Sequence, residues 1–429
     1  MDKATKQIKS IVFGVIALVP LVFVPIGLYG DYFYAPKVTA LTILAAAFLY
    51  VLLVNRRSSG RLIKSDAVNF VLFLYFCLLV VSVFFARDRL LAFYGNIYRE
   101  EGLRTILLYL LTFLAARAAG KVNDKFFVGV LATASVVAGY GVLQFYGIDP
   151  FPRDFIRTGW RVAFSTLGNP NFLGSYLVLM VPLAYHYYIS KSKKAAMPVL
   201  ALLFWCLLAT QTRSAWLGSV GAAIAYFALS RMRRRCIEGA FKRSLEVLGL
   251  VIFLLIAFEL QPDIHLFSRF ATIPQETLEV LREGEGAAPG GSYRIFVWVR
   301  VLELIRMRPF FGHGIENMQI PFTELYMADM VKTFGTVMRV DRAHNEYLHI
   351  AVSAGIPALL LYLSFLGITL RRGFRRIGKV DMALPLLAAS CGYLIQAFFN
   401  ISVVSVAYVF WAFLGLLAGG VDEEEMTGK

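Results

Sequence analysis

Three segments of the chain carry side chains suited to chemistry on an anionic substrate. Arg213 lies in a polar turn between two apolar stretches, Arg294 begins a mixed apolar and basic stretch, and His344 immediately precedes another apolar stretch. Guanidinium groups bind phosphate oxygens in a two-point geometry. An imidazole, with an unperturbed pKa of about 6.5, can accept or donate a proton near neutral pH. Together the three residues predict a site that binds phosphate and moves a proton.

Each of these residues also has a structural interpretation. Arg213 can be an arginine at the end of a membrane helix that extends its charge out of the hydrocarbon. Arg294 by itself has the pattern of an ordinary surface arginine. His344 can cap the helix that follows it or anchor that helix at the membrane surface, and His349 is interpreted as structural.

A second set of polar residues is predicted to contact substrate around these three. The motif Gly168-Asn169-Pro170-Asn171 opens an apolar stretch, where Asn171 is suited to cap a helix and Pro170 to begin it. A structural turn is therefore the alternative to substrate binding by this motif. The predicted substrate-binding residues are Arg161, Asn169, Asn171, Arg342 and Asn345.

The composition requires that lipid, rather than water, surrounds the elements that position these residues. Of the 429 residues, 58% are hydrophobic and 17% are charged, and the mean hydropathy is +0.65. A single core stops growing beyond about 250 to 300 residues, so a soluble fold could not bury this apolar excess. The chain is therefore predicted to be an all-α integral membrane protein, and the class of soluble globular enzymes is excluded.

Stretches long and apolar enough to span a membrane recur along the whole chain, which is predicted to be one polytopic domain, 1–429. A span needs roughly 20 apolar residues. About twelve are predicted, at 11–30, 38–54, 67–86, 103–119, 127–146, 171–190, 196–211, 214–230, 244–261, 346–370, 382–399 and 404–420.

The net charge of +15 is concentrated in alternate short connections, as the positive-inside rule requires. These are the N-terminus and the segments around 56–64, 121–125, 191–194, 231–243 and 371–379. The rule predicts that they face the cytoplasm together with both termini. Basic residues distributed in this way indicate membrane topology, so nucleic-acid binding is not expected.

One connection is much longer than the others and is predicted to lie outside the cytoplasm. This large loop region, 262–345, separates the ninth and tenth spans and is close to neutral. Within it, 283–291 has the composition of a flexible linker. Segment 293–307 has helical periodicity, Pro309 should end the helix, and a turn is expected at 312–314. Such a helix is expected to lie at the membrane surface, with its apolar face against lipid or the helical bundle.

Motifs for several other chemistries are missing from the chain. The four cysteines form no pair outside the cytoplasm, so neither a disulfide framework nor a cysteine metal site is predicted. Phosphate-cradling GxxxxGK[ST], zinc-binding HExxH and nucleophile GxSxG sequences are also absent. ATP-driven transport and hydrolysis through those motifs are not supported.

Four motifs in order give the chain a resemblance to the O-antigen ligase and polymerase superfamily of bacterial envelope enzymes. They are Gly168-Asn169-Pro170-Asn171, Thr212-Arg213-Ser214, Arg294-x3-Trp298 leading to Pro309-Phe310-Phe311-Gly312-x-Gly314, and Ala343-His344-Asn345-Glu346-x-Leu348 ending near Gly355. The motifs that carry the resemblance lie within about 165–365. The number of predicted spans extends the resemblance to the rest of the chain.

The resemblance implies a glycosyltransferase-C-like membrane enzyme of the bacterial inner membrane, with its site facing the periplasm. Such enzymes transfer a glycan from undecaprenyl diphosphate to a lipid A–core sugar, with inversion and without a metal or other cofactor. By position, Arg213 and Arg294 correspond to the family's essential arginines and His344 to its essential histidine. These are the predicted catalytic residues, with the arginines on the diphosphate and His344 on the acceptor hydroxyl.

Two other functions stay open at this level. A polymerase that joins lipid-linked repeat units would share the fold and the donor, and the sequence does not separate the two acceptors. A polytopic transporter or flippase would share the spans and a cationic chamber. Transporters usually place charges near the middle of the membrane and have related halves, whereas here the charges crowd one end beside the large loop region.

Overall fold

A computed structural model of the chain describes residues 3–24, 32–55, 66–151, 161–232, 239–262, 264 and 294–419. The first predicted span beyond Val24, the linker at 283–291 and most of the large loop region before Arg294 lie outside the described residues, as do both ends of the chain. Every regular element within the described ranges is a helix.

The helices are numbered α1 to α15 in chain order. They are α1 Lys3–Phe13, α2 Tyr34–Val54, α3 Ala67–Phe85, α4 Arg89–Tyr94, α5 Leu103–Ala119, α6 Asp124–Phe145, α7 Pro170–Ile189, α8 Ala196–Ala209, α9 Arg213–Met232, α10 Ala240–Glu259, α11 Arg294–Met307, α12 Gln319–Phe334, α13 Glu346–Arg376, α14 Ala383–Ala397 and α15 Ala407–Ala418.

The structure confirms a helical membrane protein. Among the described residues, six helical segments are long and apolar enough to cross a membrane: Lys3–Leu21, α2, α3, α6, α7 and α13. The same ranges contain three shorter apolar helices, α8, α14 and α15. Each of the other predicted spans also coincides with a helix, but the number of crossings stays a prediction.

The first span begins earlier than predicted, at Lys3 rather than near residue 11. Ala4, Ile8 and Val12 recur at helical spacing and are buried, while Lys3 and Lys6 are exposed. Because this amphipathic pattern buries one face, the helix extends back through the basic residues. It continues through a π-helical stretch and a short 3-10 turn to Leu21.

Ion pairs join the helices at one end of the bundle, here called the basic end. Asp66 accepts hydrogen bonds from Arg117 and Arg372 and so ties the start of α3 to the ends of α5 and α13. Lys191 likewise bridges Asp124 and Asp381. The opposite end, where α7, α9 and α13 begin, is called the site end.

Glycines allow close contacts between the helices. A Cβ on Gly415 of α15 would lie 2.4 Å from the backbone oxygen of Phe113 in α5. A Cβ on Gly218 of α9 would lie 2.9 Å from the oxygen of Gly392 in α14. Small residues at such crossings let membrane helices pack backbone to backbone, where lipid gives no hydrophobic drive to associate.

Helix α13 is broken near its first third, at Gly355. Gly355 has φ +88°, and Pro357 follows it. The turn after α11 fills the break: Ile356 N donates to Pro309 O (2.7 Å), and His313 N donates to Val352 O (2.8 Å). Irregular backbone at membrane depth is tolerated where protein satisfies its hydrogen bonds. The break therefore fastens the end of the large loop region to α13.

Two helices from the large loop region form a small core on the first turns of α13. As predicted, α11 ends before Pro309, and its apolar face is buried at Val297, Val301 and Leu304. That face packs against α12 and α13 rather than lipid. Helix α12 was not predicted, although Phe322, Tyr326 and Met330 are spaced to line one face.

The break at Gly355 gives a stability prediction. In Gly355→Ala the new Cβ would lie 2.1 Å from the oxygen of Phe310 on a backbone with positive φ. We expect a loss of about 1 to 3 kcal/mol or more, seen as a lower apparent melting temperature in detergent. Gly367→Ala is the matched control in the same helix, because a Cβ there meets no atom within 4 Å. Equal melting temperatures for the two variants would contradict this account.

Candidate functional site

His344 lies at the site end, immediately before α13. It is partly exposed and has a left-handed backbone with φ +49°, a conformation that few non-glycine residues adopt, with histidine among the more frequent of them. The next residue, Asn345, caps α13, because its side-chain oxygen accepts a hydrogen bond from Leu348 N at 3.0 Å. Asn345, and not His344, therefore caps α13.

Arg294 lies near His344 and influences it electrostatically. The pKa of His344 is lowered to about 4, first by burial and then by the charge of Arg294, with further contributions from Arg99 and Arg342. The Asp341 carboxylate opposes them. Trp298, one turn along α11, donates a hydrogen bond from Nε1 to the backbone oxygen of Ala343 at 2.8 Å. The structure thus brings together two of the three predicted catalytic residues.

Arg213 lies at the same end of the bundle, as the first residue of α9. The start of α9 and the polar turn before it pack closely on α7: a Cβ on Gly174 would lie 2.7 Å from Cβ of Ala215 and 3.5 Å from that of Thr212. The turn follows α8 and includes Gln211, which has φ +51°. Arg213 is partly exposed. Its joint action with His344 on one substrate stays a prediction.

The connection between α14 and α15 links the Arg213 region to His344. Asn400 Nδ2 donates to Ser175 Oγ in the first turns of α7 at 3.3 Å. The rings of Phe398 and Phe399 lie 5.6 and 6.4 Å from that of Trp298, which in turn binds the backbone beside His344. One contiguous layer therefore joins α7, α11 and the start of α13.

The predicted substrate-binding asparagines have backbone roles that correct one detail of the sequence analysis. Asn169, not Asn171, caps α7: its side-chain oxygen accepts from Asn171 N at 2.8 Å, and Pro170 is the first helical residue. A cap precedes the first helical residue, so the proline at position 170 assigns it to Asn169. Asn345 has the corresponding role in α13. Substrate binding by these residues stays a prediction.

The two remaining predicted substrate contacts lie in different surroundings. Arg161 is exposed, and its backbone oxygen accepts a hydrogen bond from Gln211 Nε2 at 2.7 Å. Arg342 is only 4% exposed. It pairs with the buried carboxylate of Glu316 and donates from Nη1 to His349 Nε2 at 2.7 Å. Its guanidinium therefore has protein partners, and direct substrate contact by Arg342 stays a prediction.

Glu101 is a buried carboxyl group that the sequence analysis did not identify. It is 5% exposed and accepts hydrogen bonds from Tyr109 Oη and from the backbone nitrogen of Val404. Burial raises its pKa to about 8, against the opposing charge of Arg342. A protonated carboxyl can stay buried at neutral pH without a full charge to compensate. Nothing in the sequence around Glu101 signals this burial.

Arg99 and Asp341 form a second feature that sequence patterns did not reveal. Arg99 Nε donates to one oxygen of Asp341 at 2.8 Å, and Nη2 lies 3.4 Å from the other. The side chains are 23% and 24% exposed, and both charges influence His344. The residues are more than two hundred positions apart, so only the fold brings them together.

A cavity of about 90 Å³ lies beside Arg342 in the site end of the bundle. Among its lining residues are Glu101, Arg342, Glu346 and His349. Ligand pockets usually measure about 300 to 1,000 Å³. The cavity is therefore too small for a lipid-linked glycan, and we place the candidate site at the partly exposed Arg294 and His344 instead.

Within the ranges that the structure describes, no three His, Cys, Asp or Glu side chains are grouped so that they could hold a metal ion. The expectation of metal-independent chemistry stays a prediction.

Comparison with known proteins gives one match. Residues 198–363 match the family model described as O-antigen ligase, and this range contains Arg213, Arg294 and His344. No curated protein in the comparison matches the chain. The family implies lipid-linked glycan substrates in general and a glycosyltransferase-like enzyme. Together with the apolar helices, the match indicates a multi-pass membrane protein whose segment 198–363 is similar to the O-antigen ligase family.

Proposed function

We propose that the protein transfers a glycan, O-antigen or a related polysaccharide, from undecaprenyl diphosphate to a sugar of the lipid A–core. The observation that carries the proposal is the hydrogen bond that joins Trp298, one turn after Arg294, to the backbone beside His344, within the family-matched segment. An anion-binding cation beside an uncharged imidazole suits a reaction in which a diphosphate leaves and a hydroxyl loses its proton.

The arginines act on the leaving group. Arg213 and Arg294 bind the diphosphate and stabilise the charge that develops as the bond between the anomeric carbon and the phosphate oxygen breaks. Guanidinium groups stay charged at any physiological pH and offer paired donors to phosphate oxygens. This stabilisation needs no bound cofactor or metal.

His344 acts on the acceptor. With a pKa of about 4 its imidazole is uncharged at neutral pH, so one ring nitrogen can accept a proton. The acceptor hydroxyl oxygen forms the new bond to the anomeric carbon while its proton passes to His344. The old bond breaks with its electron pair on the phosphate oxygen, which leaves as undecaprenyl diphosphate. A single displacement of this kind inverts the anomeric carbon.

The proposed location is the bacterial inner membrane, with the site end facing the periplasm and both termini in the cytoplasm. The distribution of basic residues supports this orientation. Lys191 and Arg372, from two of the predicted cytoplasmic connections, both lie at the basic end, opposite His344. The orientation exposes the site to acceptors outside the cytoplasm.

Replacing His344 tests its role as a proton acceptor. We expect His344→Ala to lower the transfer rate by about 10²- to 10⁴-fold, the usual contribution of a general base. His344→Gln should lose the same amount, because an amide can donate a hydrogen bond but cannot take the proton. The measurement is release of undecaprenyl diphosphate from a glycan-bearing donor in the presence of acceptor.

Donor binding by each His344 variant is the control for folding, and it should stay near the wild-type value. Wild-type turnover by His344→Gln would mean that His344 acts as a hydrogen-bond donor to phosphate rather than as a base. A His344→Ala variant with wild-type turnover would remove His344 from the mechanism.

The arginine roles predict a loss of donor affinity. Hydrogen bonds to charged groups contribute about 1.5 to 3 kcal/mol, so Arg213→Gln and Arg294→Gln should each weaken binding of undecaprenyl diphosphate in nanodiscs by roughly 10- to 150-fold. The matched controls are Arg231→Gln at the far end of α9 and Arg306→Gln, an exposed residue of α11. Affinities equal to those of the controls would contradict donor binding by the arginines.

Deletion of the gene distinguishes ligase from polymerase. Loss of lipid A–core carrying the polymer, while long lipid-linked chains persist, is the outcome expected for ligation. Accumulation of single repeat units would instead assign the chain as a polymerase, the alternative within the same superfamily. A transporter would release no lipid diphosphate in the purified reaction.

A further inference from the structure

We propose that Arg99 is a third donor-binding guanidinium, which exchanges the Asp341 carboxylate for a phosphate oxygen when the lipid diphosphate binds. This inference rests on the proposed function and extends the donor site beyond the segment that matches the family model. Two features support donor binding by Arg99: the geometry of the Arg99–Asp341 pair and the geometry of the turn that holds Arg99.

The Arg99–Asp341 pair lies at the partly exposed surface of the site end. Arg99 and Asp341 are linked by hydrogen bonds of 2.8 and 3.4 Å. Both side chains are about a quarter exposed, so a ligand can reach them. Both act electrostatically on His344 together with Arg294. The pair therefore lies at the edge of the proposed donor site, on a different element from the predicted arginines.

The turn that carries Arg99 is held firmly. Gly95 and Gly102 pack backbone to backbone, and a Cβ on Gly95 would lie 2.4 Å from Glu101 N. Thr105 Oγ1 and Arg104 both bond to Glu100, which has φ +58°. A guanidinium on such a turn loses less freedom on binding than one on a mobile loop, so its contacts contribute more to affinity.

The buried side of the turn is equally restrained. Glu101 accepts from Tyr109 Oη at 2.7 Å and from the backbone of Val404. Glu316 accepts a hydrogen bond from the backbone of Asn96 and pairs with Arg342, the residue after Asp341. The same network thus anchors both members of the Arg99–Asp341 pair while leaving their charged ends at the surface.

Energetics favour the exchange. A partly exposed ion pair is worth little, because solvent screens it. A diphosphate brings more negative charge than one carboxylate and matches the planar guanidinium fork. Asp341 can therefore hold Arg99 in position before the donor arrives without competing strongly once it is present.

The exchange has a consequence for the base. The charged and titratable groups facing His344 are Arg294 on α11, Arg99 on the turn after α4, Asp341 and Arg342 on its own segment, and His349 on α13. When phosphate neutralises Arg99 and Arg294, the cations that lower the pKa of His344 are compensated and the Asp341 carboxylate is released. Both changes raise the pKa of His344 from about 4. His344 becomes a stronger base when donor is bound.

Binding of labelled undecaprenyl diphosphate to the full chain in nanodiscs tests the proposal. We expect Arg99→Gln to bind roughly tenfold more weakly, and Asp341→Asn to bind several-fold more tightly, because the competing carboxylate is gone. The matched control is Arg87→Gln, which lies before α4 on the segment between α3 and α5, as Arg99 lies after it. Arg87 forms an exposed ion pair with Glu324 at 2.6 Å. The control variant should bind as wild type does.

The opposite signs separate donor binding from a structural role. If the pair only stabilised the turn, Arg99→Gln and Asp341→Asn would change affinity in the same direction, and the proposal would be wrong. Equal affinities for Arg99→Gln and Arg87→Gln would also overturn it. Weak binding by Arg294→Gln in that same experiment would leave the proposed function standing. Wild-type binding by Arg213→Gln and Arg294→Gln would contradict the proposed function itself.

The pH dependence of transfer gives a second readout. Activity falls as pH drops through the pKa of His344, because the base must be unprotonated. The acidic limb of kcat reports donor-bound enzyme, whereas that of kcat/KM for the donor reports free enzyme. In the wild type we expect the acidic limb of kcat to lie at higher pH than the acidic limb of kcat/KM. In Arg99→Gln the two limbs should lie closer together. Coincident limbs in the wild type would refute the coupling between donor binding and His344.

Discussion

The burial of the Arg342 guanidinium is the constraint on which the site end depends. A charge removed from water is tolerated only with compensating partners, and Arg342 has the Glu316 carboxylate and the imidazole of His349. These partners come from the turn after α11 and from α13 itself. Because Arg342 is held inward by them, the adjoining residues Asp341 and His344 are left at the partly exposed surface.

Backbone interactions hold the same segment from two further directions. The break at Gly355 lets the turn around Pro309 bond directly to α13. Trp298 fixes the backbone beside His344 from α11. In the proposed reaction, a base held in such fixed geometry would gain rate, since little ordering would remain to be done when the acceptor hydroxyl binds. The left-handed backbone of His344 is part of this arrangement.

The charges that act on His344 come from several elements of the site end. Burial and the cations Arg294, Arg99 and Arg342 lower the pKa of His344, and the Asp341 carboxylate raises it. The imidazole is therefore uncharged in the free protein. In the proposed reaction, substrate phosphate would compensate these cations, so donor binding and proton transfer would depend on the same electrostatics.

Much of the fold could be predicted from sequence alone, because hydropathy reports directly on which segments can lie in lipid. The apolar stretches, the helix from Arg294 to Met307, the turn at Gly312 and Gly314, and the similarity to the O-antigen ligase family followed from patterns local to each segment. Arg213, Arg294 and His344 were candidates for the same reason, since each stands beside an apolar stretch or a recognisable motif.

Only the tertiary structure decided which polar residues are neighbours. The pairing of Arg99 with Asp341, the burial of Glu101 and the partners of Arg342 join positions far apart in the chain, and no local periodicity encodes them. Asn169, rather than the predicted Asn171, caps α7, because backbone geometry and not residue type selects the capping position. Hydrophobicity is a property of each segment, whereas electrostatic partnership is a property of the packed bundle.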